Sequence, residues 1–245
     1  MTPPAVVLAA GNGLRLGAAI VPKPLVPLAG LPLLDHVVAT LVDAGVERVH
    51  VVTGHRAEAL RAHMFFRRPL QGVVFAHNPR YDEPNGLSLL AAEHGVSEPF
   101  LLLMSDHVFA PETLTPLLAR PCPSHGGLLV VDRRPERVFD PQDATRVATR
   151  GDTIVAIGKG LAEYDAIDTG LFLLSPAVFG AMRESLVAGD ASLSGGIRVL
   201  AKRGAMKAVD VTGSWIDVDT PEALQEAERL VQIGEIGCVS SALRS

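Results

Sequence analysis

The chain has 245 residues, 48% of them hydrophobic and 20% charged, with a formal net charge of −5. That length can bury one sizeable core, and the negative balance argues against a sequence-independent nucleic-acid binder, which needs the opposite sign. No apolar run approaches the roughly 18 residues of a membrane-spanning helix, and Met-Thr-Pro-Pro lacks the basic start of a secretory leader, so a cytoplasmic protein with no membrane or nucleic-acid partner is expected.

In chain order, residues 5–10 (AVVLAA) form an apolar run that ends in glycines and predict a buried strand. Leu34, Val37, Val38, Leu41 and Val42 recur at helical spacing, with Gly45 where a C-terminal cap belongs. Residues 48–53 and 100–104 predict further strands, as do 126–131. Residues 144–149 and 153–157 flank Arg150-Gly151-Asp152, a plausible hairpin turn. A strand is expected at 170–174, and helices at 176–186 and 221–233, each with proline in its first turn. Strands alternating with helices argue for an α/β fold with a mostly parallel sheet and flanking helices. Residues 1–233 are expected to form one domain, and 234–245, which lack a clear period, a tail or a linker to a further fused domain. Cys122 and Cys238 suggest neither a disulfide framework nor a metal cluster. Only Lys23, Lys159, Lys202 and Lys207 among the 22 basic residues are lysines, unlike the Lys- and Glu-rich hyperthermophile pattern.

The strongest motif is Leu8-Ala9-Ala10-Gly11-Asn12-Gly13-Leu14-Arg15-Leu16-Gly17, followed by Val21-Pro22-Lys23-Pro24-Leu25. A strand delivers the chain to a loop without bulky Cβ atoms at Gly11 and Gly13, where backbone N–H groups can approach phosphate oxygens. Arg15 and Lys23 add positive charge there, and the flanking prolines restrict the backbone around Lys23. A dinucleotide-binding turn is the competing reading, but position 16 is leucine where that fingerprint needs glycine, and no Walker pattern is present.

Ser105-Asp106-His107 follows the strand at 100–104 directly, and ligands of open α/β sheets bind at the carboxyl ends of strands. Asp217 and Asp219 share a face if their segment is extended. Asp106 with one or both of them could hold Mg²⁺ against triphosphate oxygens, although each aspartate singly could equally be a helix cap or turn residue. His107 has no second His or Cys at metal spacing, so zinc is rejected and a hydrogen-bonded histidine beside the site is expected.

Together these motifs resemble the sugar-nucleotide and phosphocholine nucleotidyltransferase superfamily, and within it the CTP:inositol-1-phosphate cytidylyltransferase family. Asn85-Gly86-Leu87-Ser88-Leu89, Met104 to Val108, Asp132-Arg133 with Asp143 to Val147, Gly158-Lys159, Ala166 to Gly170 and Trp215 to Thr220 carry the likeness beside the glycine loop. The resemblance implies a Rossmann-like, GT-A-type fold, CTP as nucleotide, Mg²⁺ as cofactor and a small phosphate or phosphonate as acceptor. Arg15, Lys23, Asp106 and Lys159 would be catalytic. Residues 8–13 (Leu8, Ala9, Ala10, Gly11, Asn12 and Gly13), Asn78, Asn85, Gly86, Ser88 and Ser105 would serve the nucleotide. His107, Arg133, Lys159, Asp168, Thr169 and Gly170 would serve the acceptor, and Asp106, Asp217 and Asp219 the metal. Similar cytidylyltransferase domains occur fused to phosphoenolpyruvate mutases in phosphonate antibiotic pathways. The arginine-rich composition therefore tilts the expected acceptor towards a small phosphonate such as 2-hydroxyethylphosphonate, with inositol 1-phosphate as the alternative. A metal-dependent glycosyltransferase, which would share an Asp-x-Asp pattern, and a non-catalytic nucleotide sensor are the rival readings.

Overall fold

The runs expected as strands all fall in one nine-stranded sheet. The computed structural model describes residues 2–17, 21–67 and 72–236. In chain order the strands are β1 (Ala5–Ala9), β2 (Pro27–Leu28), β3 (Leu31–Pro32), β4 (Arg48–Thr53), β5 (Gly72–His77), β6 (Phe100–Met104), β7 (His107–Phe109), β8 (Gly127–Asp132), β9 (Arg146–Arg150), β10 (Thr153–Gly158), β11 (Ala166–Leu174), β12 (Met206–Asp210) and β13 (Trp215–Asp217). The helices are α1 (Leu33–Asp43), α2 (Ala57–Arg67), α3 (Gly86–Ala91), α4 (Leu114–Leu118), α5 (Ala177–Val187), α6 (Leu193–Lys202) and α7 (Pro221–Gln232).

The large sheet runs β5-β4-β1-β6-β11-β8-β12-β10-β9. Only β10 and β11 run against the other strands. The parallel half, β5-β4-β1-β6, is buried on both faces along β1 and β6. That is why those strands read as unbroken apolar runs rather than alternating ones. One core cluster, with Val6, Leu102, Phe172 and Met182, covers one face; another, with Val7, Leu101, Leu103 and Leu41, covers the other.

The reversed direction of β11 places its beginning, not its end, at the sheet edge where β1, β6 and β8 finish. Asp168 stands opposite Val131 near the end of β8, while Phe172 pairs with Leu102 of β6. Strand β11 starts at Ala166, earlier than the expected 170, because Ala166 and Ile167 pair with β9 and β8 ahead of a register shift between Asp168 and Phe172. Gly170 sits in this bulge with φ 76°, and a Cβ there would meet the His107 ring at 2.5 Å. Glycine is thus required both by the backbone and by the neighbouring side chain.

Helix α7 begins as expected: the Thr220 hydroxyl accepts from Ala223 N at 3.1 Å, with Pro221 in the first turn. It packs over β13 and the β2–β3 hairpin, where Leu28, Val108, Ile216 and Leu230 form a third cluster. The expected tail is described only as far as Ile236, which is buried in that cluster; residues 237–245, including Cys238, lie outside the described part. Among the described residues no helix is long and apolar enough to cross a membrane.

Candidate active site

A cleft of about 400 Å³ opens where β1 and β6 end and β11 begins. Three chain segments converge on it. The loop after β1 brings Gly11 and Arg15, the turn after β6 brings Ser105, Asp106 and His107, and β13 with the following turn brings Asp217 and Asp219. Strand β13 pairs with β7 so that Asp217 faces His107 across the ladder, and Val218 N donates to Asp106 O at 2.9 Å. This pairing of two three-residue strands sets the acidic segment beside Asp106.

Lys23 is the buried hub of the cleft. Its side chain is 9% exposed, and its ammonium donates to Asp106 Oδ2 and Asp219 Oδ1. Burial alone would depress the Lys23 pKa, but the charges of Asp106, Asp217 and Asp219 outweigh it and hold it above the ordinary lysine range. Lys23 opens a single 3-10 turn, Lys23–Leu25, bracketed by Pro22 and Pro24, so little backbone freedom remains to move it. Arg15 reaches Asp219 Oδ2 with one arm and Asp143 Oδ2 at 2.6 Å with the other.

Asp106, His107 and Asp217 form a separate group whose candidate ligand atoms all lie within 4.8 Å of one another. The His107 Nδ1 edge is committed to the Thr169 carbonyl at 2.7 Å, which turns Nε2 towards Asp217 Oδ2 at 3.4 Å and Asp106 Oδ1 at 3.8 Å. Asp217 Oδ1 is buried without a hydrogen-bond partner, so this donor set fits a divalent cation. Without an ion, burial opposes the His107 charge, but Asp217 and Asp106 overcome it and raise the pKa to about 10. Burial would raise Asp217 as well, yet the His107 charge pulls it down to about 2. Asp168 is pushed up to about 6 by burial, against the hydrogen bond its Oδ1 accepts from Gly170 N at 2.7 Å.

The structure gathers Leu8, Ala10, Gly11, Arg15, Lys23, Asn85, Ser88, Ser105, Asp106, His107, Lys159, Asp168, Gly170, Asp217 and Asp219 around the cleft. The other expected residues stand behind or beside it. Asn78 is buried and donates to Ser88 Oγ at 3.0 Å, so it supports Ser88 rather than facing the cleft. Gly86 lies against Met182 and the Ala191 backbone, a close helix approach that a Cβ would block. The Thr169 hydroxyl donates to Val130 O at 2.8 Å, leaving its carbonyl to orient His107. Ala9, Asn12 and Gly13 do not line the cleft, although Gly13 bends the loop with φ 63°.

Two expected residues are placed apart from the rest. Arg133 lies outside the cleft and binds Asp210 and Asp165 at 2.8 and 2.6 Å, because the end of β8 carries it towards the β9–β12 side. Asp219 stands outside the compact Asp106–His107–Asp217 group, and its two oxygens accept from Lys23 and Arg15. Conversely, the sequence alone does not single out Asp143, although it bridges Arg15 and Lys159 with bonds of 2.6 Å each. Its only signal was membership of the Asp143-Ala144-Thr145 element in the resemblance.

The profile of the MobA-like NTP transferase domain family matches residues 5–207. The chain belongs to this family. It is a nucleotidyltransferase domain, and its glycine loop, acidic turn and cleft lie within or next to the matched span. The bifunctional IPC transferase and DIPP synthase of Rubrobacter xylanophilus is 40% identical over 239 residues, covering 93% of this chain and 51% of that protein. The domain therefore spans about half the length of the curated relatives it matches first. The 2-aminoethylphosphonate cytidylyltransferase of Lancefieldella rimae is 31% identical over 166 residues, 64% of this chain and 61% of that one. Among solved structures, the inositol-1-phosphate CTP transferase from T. maritima superposes with a TM-score of 0.84 at 27% identity, covering 97% of this chain and 98% of that one.

Proposed function

We propose that this domain transfers CMP from CTP to a small acceptor bearing a phosphoryl dianion and releases pyrophosphate. The observation that carries the reading is the convergence of Arg15, Lys23 and Lys159 on one cleft with Asp106 at the end of β6. The likeness to a 2-aminoethylphosphonate cytidylyltransferase and to an inositol-1-phosphate CTP transferase supports cytidine as the base.

A phosphate monoester is mostly dianionic at neutral pH, so its oxygen needs no general base. Catalysis reduces to aligning two anions and offsetting their repulsion. In the proposed arrangement Arg15, Lys23 and the backbone around Gly11 hold the triphosphate. Asn85 and Ser88 face the base and ribose, with Asn78 behind Ser88. Lys159 holds the acceptor, whose remaining groups meet Asp168 and the backbone at Gly170. An acceptor oxygen attacks the α-phosphorus in line, the bond from that phosphorus to the bridging oxygen breaks, and pyrophosphate leaves with the electron pair. Asp106 and Asp217, with His107 Nε2, would hold a divalent cation, proposed as Mg²⁺, which supplies charge neutralisation at the phosphates when bound. Asp219 keeps Lys23 and Arg15 aimed at the loop.

The acceptor put forward first is a small phosphonate such as 2-hydroxyethylphosphonate, on the arginine-rich composition and the likeness to phosphonate cytidylyltransferases. Inositol 1-phosphate stands beside it, favoured by the likeness to the inositol-1-phosphate CTP transferase over 97% of this chain. A cytoplasmic setting and fusion to a further domain belong to this proposal as well. The test is a pyrophosphate-release screen of four nucleoside triphosphates with Mg²⁺ against both acceptors and 2-aminoethylphosphonate. CTP should be used fastest; faster turnover of UTP, GTP or ATP with every acceptor would refute the cytidylyl assignment. Binding of CTP without pyrophosphate release from any pair would favour a nucleotide sensor instead.

A further inference from the structure

Asp143 holds one cation from each side of the cleft. Its Oδ2 accepts from Arg15 Nη1 at 2.6 Å, and its Oδ1 accepts from Lys159 Nζ at 2.6 Å. Arg15 is 128 residues away, on the loop after β1, whereas Lys159 follows β10. The two bonds therefore cross the cleft from the phosphate loop to the end of the β9–β10 hairpin. The segment bearing Asp143 folds on itself, with Asp143 N donating to Asp140 Oδ1 at 3.3 Å. Burial would raise the Asp143 carboxyl, but hydrogen bonds from Lys159 and Arg15 outweigh it and hold it below the ordinary range. Both contacts are thus ion pairs at neutral pH.

We propose that Asp143 is a positioning residue that couples the two substrate sites: in the free protein it aims Arg15 and Lys159 across the cleft, and nucleotide binding to Arg15 loosens its hold on Lys159 for the acceptor. The inference rests on the reading above, in which Arg15 serves the triphosphate and Lys159 the acceptor. The physical ground is that one carboxylate is shared by two cations. A triphosphate offers the Arg15 guanidinium several charged oxygens and displaces Asp143 from one arm, while Asp219 holds the other. Asp143 then keeps only one exposed lysine, and a lone exposed ion pair is weak. The acceptor dianion takes Lys159 more easily once that first displacement has occurred. By linkage each substrate must tighten the other by the same factor. A bridge that served only stability would leave the two affinities independent.

The test compares wild type with Asp143→Asn, which keeps the shape and removes the charge, and Asp143→Glu, which keeps the charge. Calorimetry measures binding of 2-hydroxyethylphosphonate and of inositol 1-phosphate, each with and without saturating α,β-methylene CTP and Mg²⁺; the methylene bridge prevents turnover. In wild type the nucleotide should tighten at least one acceptor about fivefold or more. In Asp143→Asn that tightening should fall below about twofold, with the acceptor alone binding more tightly than to wild type, and Asp143→Glu should restore part of it. Circular dichroism of each variant reports the fold, which an exposed neutral substitution leaves in place. Undiminished coupling in Asp143→Asn, or no coupling in a wild type that binds both ligands, overturns this assignment and leaves the transferase reading standing. A wild type that binds neither the CTP analogue nor either acceptor overturns both together.

Discussion

Lys23 and Lys159 serve the same cleft in opposite physical settings. The Lys23 side chain is 9% exposed and is held by two carboxylates; that of Lys159 is 59% exposed and held by one. The Lys23 side of the cleft is therefore electrostatically strong, since charges out of water interact with little screening. The Lys159 side is open and its ion pair is screened. In the proposed reading, the buried cation fixes where the triphosphate charge sits, while the exposed one changes partners as substrates arrive.

The contrast predicts a graded set of losses. The largest belong to the buried half: Asp106→Ala and Lys23→Ala should each lower turnover by about a hundredfold or more, read as pyrophosphate release at saturating Mg²⁺. Near-normal activity in a folded Asp106→Ala protein would contradict the proposed cation site. Next comes His107→Gln, which should weaken Mg²⁺ or Mn²⁺ binding about 10- to 100-fold by calorimetry, because it removes a donor and the orientation fixed by the Thr169 carbonyl. Arg133→Ala should leave acceptor KM within about twofold, since its partners are Asp210 and Asp165 and exposed pairs contribute little.

The two halves also differ in how far the sequence reveals them. Strand β1, its glycine loop, and β6 with Ser105-Asp106-His107 are legible because a buried parallel strand is a plain apolar run and its polar end marks the sheet edge. The β9–β10 hairpin is legible from its turn, where Gly151 has φ 62°. Strands β7 and β13 have three residues each and exist only because they pair with one another, so the alignment of Asp217 with His107 leaves no local pattern. The reversed direction of β11 is equally silent, although it decides that Asp168 enters the cleft. Arg133 and Asp143 show the limit most clearly: both lie in elements that carry the resemblance, and only the packing decides which faces the cleft.

Protonation sharpens the comparison in a smaller way. The folded-state pKa of His107, at about 10, lies above its ordinary value. Its stabilising contribution is therefore complete below the ordinary histidine range and is lost as pH rises through about 10. In metal-free protein the melting temperature should fall between pH 7 and pH 10, and less steeply in His107→Gln. Equal slopes in the two proteins would show that His107 is not held charged by Asp106 and Asp217.

The most direct test of a cleft divided between two substrates is CTP–Mg²⁺ calorimetry on Lys23→Ala and Lys159→Ala, alongside steady-state kinetics in the acceptor. Because Lys159 is exposed, its loss should raise the acceptor KM by about tenfold rather than by orders of magnitude, while CTP binds within about threefold of wild type. Lys23→Ala should instead weaken CTP binding or lower kcat, with acceptor KM little changed. Loss of CTP affinity in Lys159→Ala, with acceptor saturation unaltered, would contradict the division of the cleft.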